Sequence, residues 1–275
     1  MPAPSEMFDL TGKVALVSGG TGFLGSHFAQ ALALSGARVV TTDLRGPEET
    51  GAADLWGPLL GSQVFYEHCD ITDPDLTAQV VDRVENEHET VDILVNCAAI
   101  DPKFESNDTE ALKAQHFTSL RLSDWQRSLD VNMTGTFLLT QAVCRVFEDR
   151  GSGNLINICS TYGLLGPDQR IYNEGDETTF VKPVTYSVTK SAVLGFTRYL
   201  AAYYRGKNVR VNALTPGGVE RDHDEGFLRR YSARTILGRM ARPHELTGAL
   251  VFLASDASSY MTGANLVVDG GWTAF

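Results

Sequence analysis

Apolar and polar positions follow two patterns along the chain. Short runs rich in β-branched residues predict strands, and longer stretches with apolar positions three or four apart predict helices. The predicted strands are Val14–Ser18, Val39–Thr42, Val64–His68, Asp92–Cys97, Leu155–Cys159, Val209–Ala213 and Leu266–Val268. The predicted helices are Ser26–Ser35, Thr77–Glu89, Asp124–Asp149, Tyr186–Tyr204 and His244–Ala254.

The order of these elements predicts the fold class. Near-continuous apolar strands separated by helices are typical of a parallel sheet that is covered on both faces. Right-handed crossovers then give an α/β, Rossmann-type doubly wound sheet that binds ligands above the carboxyl ends of its strands. Because the chain shows no internal repeat, low-complexity tract or linker, we expect one domain over residues 1–275.

Composition and charge narrow the function classes. The formal net charge of −11 disfavours nucleic acid and anionic lipid as partners. No apolar stretch reaches the roughly 18 residues of a membrane span, and Met1–Leu10 does not resemble a signal peptide. Four cysteines without a C-x-x-C pair indicate reduced thiols. We therefore expect a cytoplasmic protein that acts on a small molecule, without a nucleic-acid or membrane partner.

A glycine-rich turn joins the first predicted strand to the first helix. It reads Gly19-Gly20-Thr21-Gly22-Phe23-Leu24-Gly25, and Asp43 ends the next strand 18 positions later. Glycine lets a backbone pass close to a pyrophosphate, and a helix amino terminus offers free N–H groups to the phosphates. A carboxylate at this spacing accepts the 2′-hydroxyl of NAD and repels the 2′-phosphate of NADP. The turn thus predicts a site for NAD rather than NADP, with Arg45 as the feature that favours NADP.

Tyr186 and Lys190 place a phenol and an ammonium group on one face of a predicted helix. Interconversion of an alcohol and a carbonyl moves a proton as a hydride passes to or from nicotinamide. A free tyrosine, with a pKa of about 10, is a poor base at neutral pH. A cation about 5 Å away, at an effective dielectric of about 20, contributes roughly 3 kcal/mol. Lys190 and a cationic nicotinamide together can therefore lower the pKa of Tyr186, and Ser160 ends a preceding strand.

These motifs together resemble the short-chain dehydrogenase/reductase family in its compact single-domain form, from about Leu10 to Trp272. The resemblance rests on the glycine turn, Asp43, Cys69-Asp70-Ile71, Asn96-Cys97-Ala98-Ala99, Asp130-Val131-Asn132, Ser160, Tyr186 with Lys190, Pro216-Gly217 and Val267-Val268-Asp269-Gly270-Gly271. Several motifs in the family's order make the resemblance specific.

The resemblance implies four catalytic residues. Tyr186 would be the general acid/base, and Ser160 would hydrogen-bond the reacting oxygen. Lys190 would bond the nicotinamide ribose and lower the pKa of Tyr186. Asn132 would interrupt its long helix and hold a water in a proton relay to Lys190.

The resemblance also implies the residues of a cofactor site. Asp70 and Ile71 would lie against the adenine, Asn96 and Ala98 near the riboses, and Pro216-Gly217 beside the nicotinamide. The expected cofactor contacts are Gly19, Thr21, Gly22, Phe23, Leu24, Gly25, Asp43, Leu44, Asp70, Ile71, Asn96, Ala98, Tyr186, Lys190, Pro216, Gly217 and Val219. No metal is expected, because the six histidines are scattered along the chain.

Three features of the cofactor motifs depart from the family's pattern. The glycines of the turn are spaced G-x-x-G-x-x-G, as in the two-domain branch that includes nucleotide-sugar epimerases and dehydratases. Only 59 residues follow Pro216, which is short for a second domain. Ala99 replaces a usual glycine, and Arg221 stands where members often carry a threonine that clasps the nicotinamide carboxamide.

An insertion over about Pro167–Lys182 is a fourth departure. Ser160 and Tyr186 are 26 positions apart, about twice the usual separation, so the insertion lies at the active-site mouth. Its polarity favours a hydroxylated substrate, and a solvated loop without substrate contact is the alternative. Family members of bacterial surface-sugar pathways, including flagellin glycosylation, carry a related insertion. Its polar residues are Asp168, Gln169, Arg170, Tyr172, Asn173, Glu174, Asp176 and Glu177.

Residues from about 218 to 242 correspond to the family's mobile substrate lid. Between Phe227 and Arg242 the lid carries no acidic residue. Its arginines suit a phosphate, carboxylate or sulfonate of the substrate, and a solvated helix or a subunit contact is the alternative. The arginines are Arg229, Arg230, Arg234, Arg239 and Arg242.

Residues and resemblance together predict an NAD-dependent oxidoreductase that interconverts a secondary alcohol and a ketone on a polar, sugar-derived or anionic substrate. Two other interpretations stay open: a catalytically silent dinucleotide-binding sensor, and a nucleotide-sugar epimerase or dehydratase. Family members usually form tetramers through the helices predicted here as Asp124–Asp149 and Tyr186–Tyr204. The resemblance therefore implies a homo-tetramer or a homo-dimer.

Overall fold

The computed structural model describes residues 3–101, 115–173 and 180–275. The strands are β1 (Val14–Ser18), β2 (Arg38–Asp43), β3 (Val64–His68), β4 (Ile93–Asn96), β5 (Ser152–Ile158), β6 (Asn208–Pro216) and β7 (Asn265–Val268). The α-helices are α1 (Phe23–Leu34), α2 (Pro47–Thr50), α3 (Ala52–Trp56), α4 (Pro74–His88), α5 (Leu122–Leu129), α6 (Thr136–Arg150), α7 (Val184–Tyr203), α8 (Glu225–Ser232) and α9 (His244–Ala254). A π-helical turn, Asp130–Gly135, joins α5 to α6.

The strands form one sheet in the order β3-β2-β1-β4-β5-β6-β7, and all neighbouring strands run parallel. The direction of winding reverses between β1 and β4, where Ser18 lies opposite Asn96 at the carboxyl ends. A crevice opens at such a reversal, because the connections on its two sides leave in opposite directions. The doubly wound α/β fold expected from the sequence is confirmed.

Both faces of the sheet are covered because strand side chains alternate in direction. On β1, Ala15 and Val17 pack with residues of α1, α3 and α9. Leu16 points to the opposite face and packs with residues of α4, α6 and α7. All five residues of β1 are buried. The uninterrupted apolar run in the sequence thus corresponds to a strand with a helical layer on each side.

Most predicted elements lie within one to three residues of the observed boundaries. The strands Val14–Ser18 and Val64–His68 and the helix His244–Ala254 agree with the structure at both ends. The pattern missed α2, α3 and α8, which have 4, 5 and 8 residues. Helices this short contain too few turns for a helical period to show in the sequence.

The predicted insertion and lid pack against each other at the carboxyl edge of the sheet. Arg230 on α8 donates its Nε–H to the carbonyl of Ile171 at 2.8 Å. Arg234 lies 3.6 Å from the carboxylate of Asp168. These contacts hold the 3-10 turn Gln169–Tyr172 of the insertion against α8. The predicted insertion residues Glu174, Asp176 and Glu177 lie outside the described residues.

Two further features concern the cysteines and the length of the helices. The four cysteines form no disulfide bond, and Cys69, Cys144 and Cys159 are buried. None of the helices in the described part of the chain is long and apolar enough to cross a bilayer.

Candidate active site

A groove of about 1040 Å³ follows the carboxyl ends of the central strands, at the reversal between β1 and β4. It brings together most of the predicted site residues. Those that line it are Gly19, Gly22, Phe23, Leu24, Gly25, Asp43, Leu44, Asp70, Ile71, Ala98, Ser160, Tyr186, Lys190, Pro216, Gly217 and Val219. Thr21, Asn96 and Asn132 are buried and do not line the groove.

The glycine turn requires glycine at two positions. Gly19 has a positive φ of 65°, and a Cβ there would lie 2.6 Å from the Cα of Ala98. A Cβ on Gly25 would lie 2.0 Å from the carbonyl oxygen of Gly19. Because no side chain caps α1 at Gly22, the N–H groups at the start of α1 are left for a ligand. The turn therefore offers a bare backbone and a helix amino terminus to an anion.

The exit of β2 is fixed against the glycine turn. Thr21 lies below the groove and donates its hydroxyl to the carbonyl of Arg45 at 3.1 Å. Asp43 ends β2 and accepts a hydrogen bond from the backbone N–H of Leu44 at 2.8 Å. Both Asp43 and Arg45 line the groove, so a carboxylate and a guanidinium group lie at the same end of it.

Asn96 belongs to a buried hydrogen-bond network below the groove. Its amide donates to the hydroxyl of Thr140 at 2.8 Å and to the side-chain oxygen of Asn157 at 2.9 Å. Asn157 in turn donates to Thr197 on α7 at 2.9 Å. The network ties β4 and β5 to the helices on one face, and it gives Asn96 a supporting position rather than a groove-lining one.

Ser160, Tyr186 and Lys190 converge on one wall of the groove. Ser160 lies two residues beyond the end of β5, and its hydroxyl accepts the backbone N–H of Tyr162 at 3.2 Å. The same hydroxyl lies close enough to the Tyr186 phenol to lower the pKa of that phenol. Lys190 is buried and donates from Nζ to the carbonyl of Ile158 at 2.8 Å. The Lys190 ammonium lies 5.8 Å from the centroid of the Tyr186 ring. The segment after β5 and the helix α7 thus bring a hydroxyl, a phenol and an ammonium group to the same wall of the groove.

Burial dominates the ionisation of this wall. It raises the pKa of Tyr186 well above its ordinary value, and the Ser160 hydroxyl opposes that rise only in part. Burial also lowers the pKa of Lys190. Loss of hydration destabilises the charged form of each group. The lowered pKa of Tyr186 expected from the sequence requires a cationic nicotinamide as well as Lys190, so it stays a prediction.

Asn132 lies in the π-helical turn and points beneath the groove. Its side-chain oxygen accepts from the backbone N–H of Ile100 at 2.7 Å. Its amide donates to the carbonyl of Ile100 and to the hydroxyl of Thr189, each at 3.1 Å. The expected interruption of the long helix is present, and the side-chain amide is bonded to the chain on both of its ends.

The groove contains a charged pair that was not predicted from the sequence. Lys182, the last residue of the insertion, pairs with Asp101, and its Nζ lies 4.5 Å from the centroid of the Tyr186 ring. The two residues are 81 positions apart. Neither belongs to a motif, so no local pattern in the sequence indicates this pair.

Aromatic side chains surround the same end of the groove. The hydroxyl groups of Tyr162 and Tyr172 lie 2.6 Å apart. Tyr231 stacks on Trp272 with ring centroids 4.3 Å apart, and its hydroxyl accepts the backbone N–H of Gly218. We call this part of the groove the aromatic pocket. It is lined by Tyr162, Tyr172, Phe227, Tyr231 and Met240.

Three of the five lid arginines have partners within the protein. Arg230 and Arg234 bond the insertion, and Arg239 forms a bidentate pair with Glu245, with both N–O distances at 2.6 Å. None of the five lid arginines lines the groove. Arg221 does line it, with its guanidinium carbon 5.0 Å from the centroid of the Phe23 ring. The lining of the groove therefore does not include the lid arginines, and their role toward an anionic substrate stays a prediction.

Known proteins are similar to the chain over nearly its whole length. The family model described as enoyl-(acyl carrier protein) reductase matches residues 22–273. D-threitol dehydrogenase of Mycolicibacterium smegmatis is 35% identical over 272 residues, which cover 97% of this chain and 95% of that protein. A 3-alpha-(or 20-beta)-hydroxysteroid dehydrogenase of Mycobacterium tuberculosis is 36% identical over 265 residues, which cover 96% of this chain and 91% of that protein.

Solved structures share the fold from end to end. A short chain dehydrogenase from Leptospira borgpetersenii with bound NAD+ has a TM-score of 0.83 and 31% identity, covering 99% of this chain and 96% of that one. A gluconate 5-dehydrogenase from Burkholderia cenocepacia, in complex with NADP and tartrate, has a TM-score of 0.84 and 29% identity. That match covers 99% of this chain and 100% of the other.

Proposed function

Because the chain belongs to the short-chain dehydrogenase/reductase family, we propose that it is an NAD-dependent oxidoreductase for a small polar molecule. It interconverts a secondary alcohol and a ketone, with Tyr186 as the general acid/base. The observation that carries the proposal is the convergence of Ser160, Tyr186 and Lys190 on one groove wall that continues to the glycine turn. A hydroxyl and a phenol side by side offer a carbonyl oxygen two hydrogen-bond donors.

The groove fits a nicotinamide dinucleotide at the end formed by β1 and β2. Gly19 and Gly25 would face the pyrophosphate, since a Cβ at either position would collide with the backbone that forms the cradle. Asp43 would accept the ribose 2′-hydroxyl, which supports NAD. The solved neighbours contain NAD+ in one case and NADP in the other, so Asp43 is the feature that decides our choice. When bound, the nicotinamide accepts or supplies the hydride of the reaction.

The chain's own side chains handle the proton. Burial keeps the Tyr186 phenol protonated and ready to donate to a carbonyl oxygen, while Ser160 offers that oxygen a second hydrogen bond. Lys190 supports the phenolate that forms, because its ammonium lies beside the ring and is anchored on Ile158. A water relay to Lys190 would use the main chain of Asn132, since the Asn132 amide is already bonded.

A polar substrate agrees with two of the similar proteins and with the groove itself. D-threitol dehydrogenase and gluconate 5-dehydrogenase are named for polyhydroxylated compounds. A hydroxysteroid dehydrogenase is just as similar in sequence, so the choice depends on groups within this groove. Lys182, Asp101 and the hydroxyls of Tyr162 and Tyr172 are polar groups at the aromatic pocket, and they favour a sugar-derived or anionic substrate.

The remaining expectations complete the proposal. Residues 1–275 act as one catalytic domain, with the insertion and the lid on the substrate side. The protein works in the cytoplasm as a homo-tetramer or homo-dimer, without a metal, nucleic acid or membrane. Four cysteines without a disulfide bond support a reducing compartment.

Replacement of Tyr186 by phenylalanine tests the proposal. Tyr186→Phe removes the proton donor and keeps the ring, so we expect turnover to fall by about 1,000-fold or more. The dissociation constant for NAD should stay within about threefold, because the ring keeps its packing. NADH absorbance over a panel of polyols and sugar acids measures the first quantity, and calorimetry measures the second.

The outcome of this experiment separates the competing functions. A silent sensor would bind NAD equally in both proteins and turn over no substrate in either. An epimerase or dehydratase would keep NAD bound through purification and form no net NADH. Full turnover by Tyr186→Phe would contradict the role of the phenol.

A further inference from the structure

We propose that Lys182 selects the substrate: its ammonium group binds a carboxylate of the substrate while the reacting carbon lies against Ser160 and Tyr186. The inference rests on the proposed oxidoreductase activity and adds the class of substrate, a hydroxy or oxo carboxylic acid. It gives the insertion a chemical task, because Lys182 is the insertion's last residue.

The unequal burial of the Lys182–Asp101 pair is the first argument. The Lys182 side chain is 8% exposed, whereas the Asp101 side chain is 48% exposed. A buried ammonium group has lost its hydration and requires an anion beside it. A half-exposed carboxylate can return to water at little cost. Asp101 therefore acts as an exchangeable counter-ion whose place a substrate carboxylate can take.

The position of the ammonium group is the second argument. Lys182 Nζ lies 4.5 Å from the centroid of the Tyr186 ring, and both residues line the groove. An ammonium has three N–H donors, and in the described part of the chain its partner is Asp101. A carboxylate bound there would lie within a few bonds of a carbonyl oxygen held by Ser160 and Tyr186. The geometry thus links anchoring and chemistry in one molecule.

The backbone of Lys182 is held in place by another residue of the insertion. Gln169 accepts the backbone N–H of Lys182 at 2.8 Å and donates to its carbonyl at 3.1 Å. Pro183 follows and restricts the backbone at the start of α7. A cation fixed in this way loses little conformational entropy when it binds an anion, which favours a recognition role.

Charge is the third argument, and it points to a carboxylate. The chain carries a net charge of −11, so an anionic substrate needs a local cation to enter the groove. Lys190 is bonded to Ile158 and Arg221 lies over Phe23, whereas Lys182 lies beside the aromatic pocket. The other cations that line the groove are Arg45 and Arg127. A lone ammonium matches one negative charge, whereas phosphate is usually bound by several donors or an arginine fork.

Matched acids and amides test the proposal. The probes are gluconate, 3-hydroxybutyrate and 4-hydroxycyclohexanecarboxylate, each beside its primary amide, with NAD in excess. For the probes that turn over, we expect kcat/KM to favour the acid by about tenfold or more, as for a desolvated charge pair. In Lys182→Met this ratio should fall to about one, mainly through KM. The exposed control Lys13→Met should keep the ratio of the unmodified protein.

Asp101→Asn separates recognition from a purely structural ion pair. If the Asp101 carboxylate competes with the substrate for Lys182, its removal should lower KM for the acids by about threefold or more, opposite to Lys182→Met. If the ion pair only stabilises the fold, both variants should lower activity and leave the acid-to-amide ratio of kcat/KM unchanged. That second result would overturn the proposal.

A binding measurement keeps this test separate from that of the proposed function. Cyclohexanecarboxylate and its amide carry no hydroxyl group, so they report anchoring without turnover. Calorimetry on protein saturated with NADH should show that the acid binds about tenfold more tightly than the amide, and that Lys182→Met abolishes the difference. Equal binding of acid and amide would overturn the role of Lys182 and leave the oxidoreductase proposal standing. Lack of turnover with every probe would count against the oxidoreductase proposal alone.

Discussion

At the scale of single residues, the proposed chemistry depends on how firmly Tyr186 holds its proton. Burial raises the pKa of the phenol, Asp101 adds to that rise, and the hydrogen bond from Ser160 opposes it. The protein without cofactor thus keeps a neutral phenol at physiological pH. A neutral phenol is the form that donates a proton to a carbonyl oxygen.

The raised pKa of Tyr186 predicts opposite pH profiles for the two directions. Alcohol oxidation requires the phenolate, so its kcat/KM should rise with pH as the phenol loses its proton. Ketone reduction requires the phenol, so its kcat/KM should stay level through neutral pH and fall only in the alkaline range. Initial rates from about pH 6 to about pH 10 measure both profiles. An oxidation rate that does not change over this range would contradict the assignment.

Asp43 predicts a preference between the two nicotinamide cofactors. Asp43→Ala removes an acceptor for the ribose 2′-hydroxyl, and the loss of a charge-assisted hydrogen bond corresponds to about tenfold or more in affinity for NAD. Affinity for NADP should stay constant or improve, because the repulsion of its 2′-phosphate is removed. Calorimetry with both cofactors measures the change, with exposed Asp54→Ala on α3 as the control. Equal losses for NAD and NADP would contradict the proposal.

The sequence predicted the grouping of Ser160, Tyr186 and Lys190 better than the contacts around them. Tyr186 and Lys190 share a helix face, so their proximity follows from helical geometry, and Ser160 follows from its place after a strand. The partnership of Lys182 and Asp101 depends on how the insertion folds back over β4, which no local pattern encodes. The motifs likewise located Asn96, but they could not show that its side chain lies buried below the groove and donates to Asn157.

At the scale of elements, the insertion and α8 form one wall of the substrate side. Asp168 accepts the backbone N–H of Arg170 at 3.2 Å and caps the 3-10 turn that follows. It also pairs with Arg170 and with Arg234, which lies after α8. The side chain of Ile171 is buried in the same cluster as Phe227. The shape of the aromatic pocket therefore depends on contacts that touch neither cofactor nor reacting atoms.

Loss of the Asp168 cap should alter substrate binding without altering cofactor binding. Asp168→Ala removes the cap and both ion pairs, and the lost cap corresponds to about 1 kcal/mol of stability. We expect KM for the substrate to rise about three- to tenfold, while the dissociation constant for NAD stays constant. Steady-state kinetics and calorimetry measure the two quantities.

Asp73→Ala is the matched control, since Asp73 caps α4 through the backbone N–H groups of Asp75 and Leu76. It should lower stability by a similar amount and leave KM for the substrate unchanged. A loss of NAD binding in Asp168→Ala would mean that the insertion supports the whole groove rather than the substrate side.

The elements that the sequence predicted well are those long enough to show a period. The 15 residues of α4 and the 20 of α7 repeat their apolar positions several times. The 8 residues of α8 are too few for such a repeat, and the arginines in and after this helix predicted a site for an anionic substrate. Arg230 on α8 and Arg234 after it instead contact the carbonyl of Ile171 and the carboxylate of Asp168, which only the tertiary fold brings close. Composition alone cannot distinguish an arginine that binds a ligand from one that fastens two segments.

At the scale of the whole molecule, the outer faces of α6 and α7 leave apolar side chains in water. Phe137 on α6 and Val188, Tyr199 and Tyr203 on α7 are all exposed. A cluster of exposed large apolar residues marks an interaction surface more often than a chance arrangement. These are the two helices through which the family resemblance predicts subunit contact. The β-α alternation that predicted the sheet thus also supplies a surface for association.

We expect the protein to sediment as a dimer or tetramer, and a charge on this surface to dissociate it. The double variant Phe137→Glu and Tyr199→Glu places carboxylates in a contact that would have to lose water, which disfavours association. Analytical ultracentrifugation should then report the mass of one chain. Leu34→Glu on α1 is the control, because Leu34 is also exposed but lies on the other face of the sheet. An unmodified protein that sediments as one chain would contradict the prediction.

The helix α7 has two different sides, and this difference predicts how the protein loses activity. Its inner side carries Tyr186 and Lys190, and Thr197 on that side is tied to β5 through Asn157. Its outer side carries the apolar residues that we assign to a neighbouring subunit. Separation of the subunits would remove contacts from the outer side of α7, the helix that also positions Tyr186 and Lys190. Dilution should therefore lower the activity of such an enzyme at temperatures where the chain is still folded. The half-life of its activity at a fixed temperature should lengthen as the protein concentration rises.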